Sequence, residues 1–465
     1  MADLYGVIWS RIGGAPRKLA DMVLTPIELR ITRHHDGMAM PGFSMLHDLA
    51  GETEWVWSRA LDSELPPQLQ ALLPPQIHSS PIRKLMYRLL DQQGIPRIGR
   101  LPIEQEWLLL THFGAGGIGH LDVFLDDAAA HRYYASPESS ILKLDDAKAL
   151  WACLRDGFTN QAAEDHLAEM IGKIQVSGVS GMMPKLFTSL DHHPVMVKIE
   201  PPDYPCVLAL ESLALELHRA AGLEVPNWQY KNIRAEHGEI ASLVLSRYDR
   251  TEKGLPLPQE SFFTLLRTGA RSKYHERTDG SMETLFKVVE TGLVGDVRSA
   301  KYGLFQRLVM ALATGNGDLH SENFALIGSA GTAQLAPVFD PAPMRAYRHF
   351  RKNHDLLSAL SFAGVGGVEQ ILANGQAMPY TTSGDTPEDL NQRVLQYAKN
   401  GDISVKMARD WICTALEVTK DYADAAADLL TMAPSEDRRL KRPDVDGFRQ
   451  TVDQLRKALG GALNG

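Results

Sequence analysis

Residues 315–327 read GNGDLHSENFALI and residues 335–343 read LAPVFDPAP, and together these two stretches decide the fold. The first follows an apolar helical run, YGLFQRLVMALAT, and leads into a short apolar strand, NFALI, so the polar residues between them do no packing work. Asp318 and Asn323 are five apart, and Asp340 ends a second apolar strand 17 residues after Asn323. A hairpin of the two strands would bring Asn323 and Asp340 together. A carboxylate, an amide and a second carboxylate in this order suit phosphoryl transfer: one group orients and deprotonates an attacking hydroxyl, and two hold magnesium on the phosphates.

Further toward the N-terminus, HPVMVKIE at 193–200 alternates, with Val195, Val197 and Ile199 on one face and Met196, Lys198 and Glu200 on the other. Lysine on such a strand and Glu211 on the following helix, PCVLALESLALELHRAAG, are the remaining parts of a phosphate-binding set. Lys198 neutralises phosphates, Glu211 fixes its position, and Met196 covers the adenine. The helix stops at Gly222, and ASLVLSRYDR follows as another strand. The glycine turn VSGVSGMMPKL at 176–186 precedes the lysine strand and offers backbone amides to phosphate.

Composition bounds the rest. The chain has 465 residues, 44% apolar and 23% charged, so a folded multidomain protein is expected. Net charge is −9, from 57 acidic and 48 basic residues, which excludes a protein that grips nucleic acid over a broad basic surface. Cys153, Cys206 and Cys413 form no framework and read as reduced thiols. No run of about 18 apolar residues and no leader pattern occur, so no membrane contact and a cytoplasmic location are expected. Residues 1–134 are broken by Pro and Gly, as in FGAGGIGHLDVF, and read as short strands, turns and a few helices. Beyond 255 the text is mostly helical, with RVLQYAKN, VKMARDWICTALEVTKDYADAAADLL and DGFRQTVDQLRKAL as the clearest segments.

The motifs carry a resemblance. SGMMPKL, VMVKIE, LALESLALELHRAAGLEVP, LSRYDR, LPQESF, GDLHSENFAL and LAPVFD are similar, in order and spacing, to the motifs of the HipA family of bacterial serine/threonine kinases, the toxins of toxin–antitoxin pairs. The resemblance covers about 180 residues, from 174 to 350. It implies an α+β, bilobed kinase-like fold: an N-terminal subdomain over 1–135, a small α/β N-lobe over 136–250 and a largely helical C-lobe over 251–465. It implies ATP and Mg2+ as cofactors, with Ser180, Gly181, Lys185, Lys198, Glu211, Ser246, Arg247 and Tyr248 toward the nucleotide. Asp318, His320, Asn323 and Asp340 would be catalytic, with Asn323 and Asp340 on the metal. A HipB-like helix-turn-helix antitoxin is the implied partner, with DNA reached only through it, and the substrate is often an aminoacyl-tRNA synthetase. Family members phosphorylate themselves on a serine of the glycine loop, here Ser180 or, second, Ser177. Met182, Met183 and Ser246 depart from the family pattern at positions that bear on nucleotide affinity.

Other readings of the same residues stay open. Asp318 and Asp340 can be turn or cap residues, and Lys198 and Glu211 solvated charges. Asp318, His320 and Glu322 alternate as D-x-H-x-E, which on a strand would aim three ligands at the metal of a hydrolase or nuclease. A HipA-like protein of weak catalysis could act through antitoxin and operator alone. Arg345, Arg348, Arg351 and Lys352, and Arg438, Arg439, Lys441 and Arg442, form two basic stripes.

Overall fold

A computed structural model describes residues 3–35, 40–58, 65–74, 80–96, 102–135, 183–191, 193–235, 238–266, 281–347, 359–365, 389–432 and 443–463. The chain divides into two compact units. The first comprises Met1–Pro201, Trp228–Glu260 and Ile327–Ala330, the second Pro202–Asn227, Ser261–Leu326 and Gly331–Gly465.

In the first unit, β1 (Leu4–Ser10), β2 (Arg17–Leu24), β3 (Glu28–Arg33), β4 (Glu54–Ser58) and β5 (Asp122–Phe124) form an antiparallel sheet of order β4-β3-β2-β1-β5. Helices α1 (Met45–Ala50), α2 (Pro81–Gln92), α3 (Pro102–Phe113) and α4 (Asp127–Ala135) accompany it. Both α2 and α3 open on proline, whose missing N–H costs nothing in a first turn. A second antiparallel sheet runs β6-β7-β9-β8, from β6 (Lys185–Leu190), β7 (His193–Ile199), β8 (Trp228–Ala235) and β9 (Gly238–Ser246). One apolar core serves both sheets: Ile8, Leu19, Met22 and Ile31 belong to it with Val195, Val197, Ile199 and Val244. The apolar side of the β7 alternation is thus the buried underside of the second sheet.

The second unit is helical: α5 (Val207–Ala220), α6 (Val297–Thr314), α7 (Leu390–Asn400), α8 (Val405–Val418), α9 (Tyr422–Thr431) and α10 (Val445–Gly461). Helix α6 is buried over most of its circumference, as the central helix of a bundle must be. Asp296 caps its start, accepting from Ser299 N at 2.9 Å. At its end Gly315 turns left-handed at φ 69° against Phe448 and Val452 of α10, where a Cβ would meet Phe448 at 3.0 Å. That stop releases the chain into the polar loop. The apolar strands around that loop form the expected hairpin, β10 (Ala325–Ile327) with β11 (Gln334–Leu335), extended by Ala336 N donating to Ala325 O at 2.9 Å.

The stretch 405–431, which reads as one helical segment, is two helices. Arg456 of α10 donates to Leu416 O at 2.9 Å and to Thr419 Oγ1, satisfying carbonyl and hydroxyl groups where α8 ends. Among the described residues no helix is long and apolar enough to cross a membrane.

Candidate active site

The loop after α6 is tied to itself by short-range hydrogen bonds. Asp318 N donates to Asn316 Oδ1 at 3.0 Å, and Asp318 O accepts from His320 N at 3.0 Å and from Asn323 Nδ2 at 2.9 Å. One 3-10 turn, Ser321–Asn323, follows, and Phe324 is fully buried edge-on to Phe262 at 6.3 Å. With its Nδ2 held by the Asp318 carbonyl, Asn323 has a set amide orientation that leaves Oδ1 as the end for a cation. His320 is buried, its Nε2 3.8 Å from Asp318 Oδ2, while the Asp318 side chain keeps 22% exposure. Solvent therefore reaches the carboxylate and not the imidazole, which fits Asp318 to touch a substrate and His320 to position Asp318.

Asp340 lies beyond β11 with φ at 56°, one of few non-glycine residues in the left-handed region among the described residues. Asp tolerates that conformation better than most side chains, and backbone strain of this kind collects at functional positions. The chain on either side is anchored: Val338 N donates to Glu224 O at 2.7 Å, and Tyr347 Oη donates to Pro205 O at 2.7 Å. Asn323 and Asp340 thus enter and leave one hairpin, and both supply the hard oxygen donors that Mg2+ prefers.

The D-x-H-x-E alternation does not lie on a strand. Asp318 sits in a turn, His320 precedes the 3-10 turn and Glu322 is inside it, so the three side chains do not share a strand face. Among the described residues no cluster of three His, Cys, Asp or Glu side chains is placed to hold a metal.

In the first unit the alternation of β7 puts Met196 and Lys198 on the face away from the core. Lys185 of β6 pairs with Lys198, and Phe187 with Met196, so two lysines and two apolar side chains share that face. Lys198 is 1% exposed and Lys185 8%. Glu211 is fully buried in α5, within the second unit.

The segment after β9 does something that the sequence reading did not foresee. The Arg247 guanidinium lies 3.7 Å over the Phe187 ring and donates to the Gly116 and Gly117 carbonyls, at 3.0 and 2.5 Å. Arg250 donates to Gly117 O at 2.9 Å and Gly119 O at 2.8 Å. Asp249 stands between them, 2.7 Å from each guanidinium, and accepts from Gly119 N at 2.9 Å. Burial opposes the Asp249 charge, but the two flanking guanidinium groups outweigh it and hold the carboxyl below the usual range. Gly119, at φ 77°, lies where a Cβ would come within 3.1 Å of Gln259 O. FGAGGIGH is therefore glycine-rich so that its carbonyls can face RYDR. Ser246 ends β9 half-buried, and the Tyr248 hydroxyl accepts from Gln259 Nε2 at 3.3 Å.

Ser177, Ser180, Gly181 and Met182 lie outside the described residues, as do Arg348, Arg351, Lys352 and the stripe 438–442. Arg345 is buried at 5% exposure.

Comparison with known proteins agrees with this architecture. The family model of the HipA-like C-terminal domain matches residues 177–401. A Haemophilus influenzae protein named "Putative kinase" is 25% identical over 191 residues, 38% of this chain and 55% of that protein, so the chain spans about half the length of this curated relative. Among solved structures, the HipA toxin of Shewanella oneidensis MR-1, from a complex of HipA, HipB and its operator DNA, superposes with a TM-score of 0.59 at 15% identity, covering 97% of this chain and 98% of that one. The Helicobacter pylori proinflammatory kinase CtkA gives a TM-score of 0.35 at 14% identity over 61% of this chain and 90% of that one. The fold is thus the α+β fold of HipA, and residues 177–401 match the model of the HipA-like C-terminal domain.

Proposed function

We propose that this protein is an ATP- and Mg2+-dependent serine/threonine protein kinase of HipA toxin type. The observation that carries the reading is the loop in which the Asp318 carbonyl fixes the Asn323 amide while the Asp318 carboxylate stays open to solvent. Asp318 accepts the proton of an acceptor hydroxyl, and His320, at 3.8 Å, keeps that carboxylate in place. Asn323 Oδ1 and the Asp340 carboxylate hold magnesium. Lys185 and Lys198 neutralise phosphate oxygens, Glu211 orients Lys198, Ser180 and Gly181 present backbone amides, and the backbone of 246–248 meets the adenine. When bound, Mg-ATP would supply the γ-phosphoryl group, with ADP as the leaving group.

By the same reading the substrate is a protein hydroxyl, with an aminoacyl-tRNA synthetase as the first one to test. The partner is a HipB-like helix-turn-helix antitoxin that links the protein to DNA, and the site of action is the cytoplasm. Self-modification falls on Ser180, or on Ser177 second. By the same reading residues 1–135 are an N-terminal subdomain, 136–250 the N-lobe and 251–465 the C-lobe.

Incubating the full chain with γ-labelled ATP and Mg2+, followed by mass spectrometry of protein products, tests the activity. Label on a Ser or Thr that disappears in Asp318→Ala is expected. Absence of transfer from the wild type to itself and to synthetases would overturn the kinase reading.

A further inference from the structure

The segment that the kinase reading sets against the adenine is gripped by the glycine loop of the N-terminal region. Every nitrogen of Arg247 is engaged within the first unit. Its backbone N–H donates to Pro194 O at 3.1 Å, its Nε to Asp249 Oδ1 at 3.0 Å and its Nη1 to Gly116 O at 3.0 Å. Its Nη2 donates to Gly117 O at 2.5 Å and to Asp249 Oδ2 at 2.7 Å. The side chain is 6% exposed. Arg247 thus has no nitrogen to spare for a nucleotide, contrary to the expectation from sequence, and what it does for a base it does through the position of the backbone around it.

One side of this clamp rests on the sheet face assigned to the nucleotide. The guanidinium covers Phe187, which pairs with Met196 on the face that also bears Lys185 and Lys198. The other side is anchored in the N-terminal sheet. Gly116 N donates to Asp122 Oδ1 at 2.7 Å, and Tyr134 Oη donates to Asp122 Oδ2 at 2.5 Å, with Asp122 of β5 buried at 7% exposure. Arg250 and Asp249 repeat the grip at Gly119. Contacts therefore run without a break from β5 through the glycine loop to the backbone after β9. Buried charge-assisted bonds resist rearrangement, so that backbone takes its position from the loop.

Adenine offers a donor at its amino group beside an acceptor at N1, and guanine offers the opposite order. A backbone segment held in one place suits one order and rejects the other, because the wrong base leaves polar groups unpaired. That choice depends on alignment, and a shift of about 1 Å blunts it. We propose that Arg247 and the glycine loop 116–119 are positioning elements for base selection, through which the N-terminal sheet sets the backbone that distinguishes adenine from guanine. The proposal rests on the kinase reading and deepens it.

Calorimetric titration of the full chain with Mg-ATP and with Mg-GTP tests this, because the two nucleotides share the ribose and triphosphate and differ only in the base. The wild type is expected to prefer Mg-ATP. Arg247→Lys keeps a positive charge beside Asp249 but cannot fork to both glycine carbonyls. Gly119→Ala disturbs the loop while leaving every residue assigned to the nucleotide in place. Each should lower the ATP-to-GTP affinity ratio by about threefold or more, the scale of one hydrogen bond lost. If the added Cβ prevents folding of Gly119→Ala, Arg247→Lys, with its buried charge pair retained, still gives the ratio. Equal weakening of both nucleotides, or an unchanged ratio, would confine the clamp to supporting the fold and overturn the proposal. A wild type that binds both nucleotides equally would overturn the proposal and leave the kinase reading standing, whereas a wild type that binds neither would remove both.

Discussion

Lys185 and Lys198 face each other across the antiparallel pair of β6 and β7, at 8% and 1% exposure. Like charges at directly opposed positions weaken a sheet, and burial adds a desolvation cost. On the proposed reading these two charges serve the phosphates of the nucleotide. Lys198→Met keeps the bulk of the side chain and removes one charge. It should weaken Mg-ATP by about tenfold or more, on the scale of a charge-assisted contact. Thermal denaturation with and without nucleotide checks this: the nucleotide-induced rise in Tm, taken relative to each protein's own nucleotide-free Tm, should be smaller in the variant than in the wild type.

Asp318 and Asp340 should separate in their effects. Asp318→Ala removes the proton acceptor and should lower phosphoryl transfer by about 10²–10⁴-fold while sparing Mg-ATP binding. Asp340→Asn tolerates the φ of 56° almost as well as Asp does, so it isolates loss of charge from backbone strain. It should weaken Mg-ATP binding and abolish activity. Titration calorimetry beside a phosphorylation assay checks the pair, and full activity in either variant would remove the kinase assignment.

Asp249 is the counterion of two buried guanidinium groups, each 2.7 Å away. Asp249→Ala should destabilise the first unit by about 3–5 kcal/mol, because Arg247 and Arg250 then lose their common partner. The wild-type carboxyl is held below its ordinary value, so its stabilisation is present above about pH 4 and is lost as pH falls through the depressed folded value. Urea denaturation at neutral pH measures the first effect, and the same titration in acid the second.

Glu260 has the opposite sign. Burial pushes it up to about 7, although Met45 N at 2.9 Å and Ser44 Oγ at 3.1 Å donate to its carboxylate. The folded chain therefore holds a proton that the unfolded chain releases from about pH 4.5 upward, and stability falls between 4.5 and about 7. The loss is roughly 3 kcal/mol when complete. Buried His120, pulled down to about 4, changes the other way across much of that range. The informative quantity is thus the difference between wild type and Glu260→Gln. The variant should gain on the wild type as pH rises from 5 to 8, as read from denaturation midpoints, and a constant difference would refute this.

How much of this was legible in the sequence depends on range. The alternation Val195, Val197, Ile199 marks a buried face within five residues, and the loop 315–327 announces itself by polar residues between apolar elements. Features that need distant partners were not legible. The RYDR segment and FGAGGIGH meet across about 130 positions, and nothing local in either one names the other. Proline misleads for a different reason: the prolines of residues 1–134 read as interruptions, yet Pro81 and Pro102 each begin a helix, because proline stops a helix from within and suits its first turn. Strand β8, WQYKNIRA, escaped notice because its inward and outward residues do not alternate cleanly in polarity.

The core common to both sheets has a consequence for biosynthesis. Ile8, Leu19 and Ile31 emerge early from the ribosome, whereas Val195, Ile199 and Val244, which complete the same core, follow more than a hundred residues later. At typical elongation speeds that interval is roughly ten seconds or longer, during which the nascent sheet exposes part of its greasy underside. The guanidinium clamp on the glycine loop can close only after Arg250 has been made. Newly made chains should therefore depend on holdase chaperones for this interval, and fragments ending before β6 should be prone to aggregate.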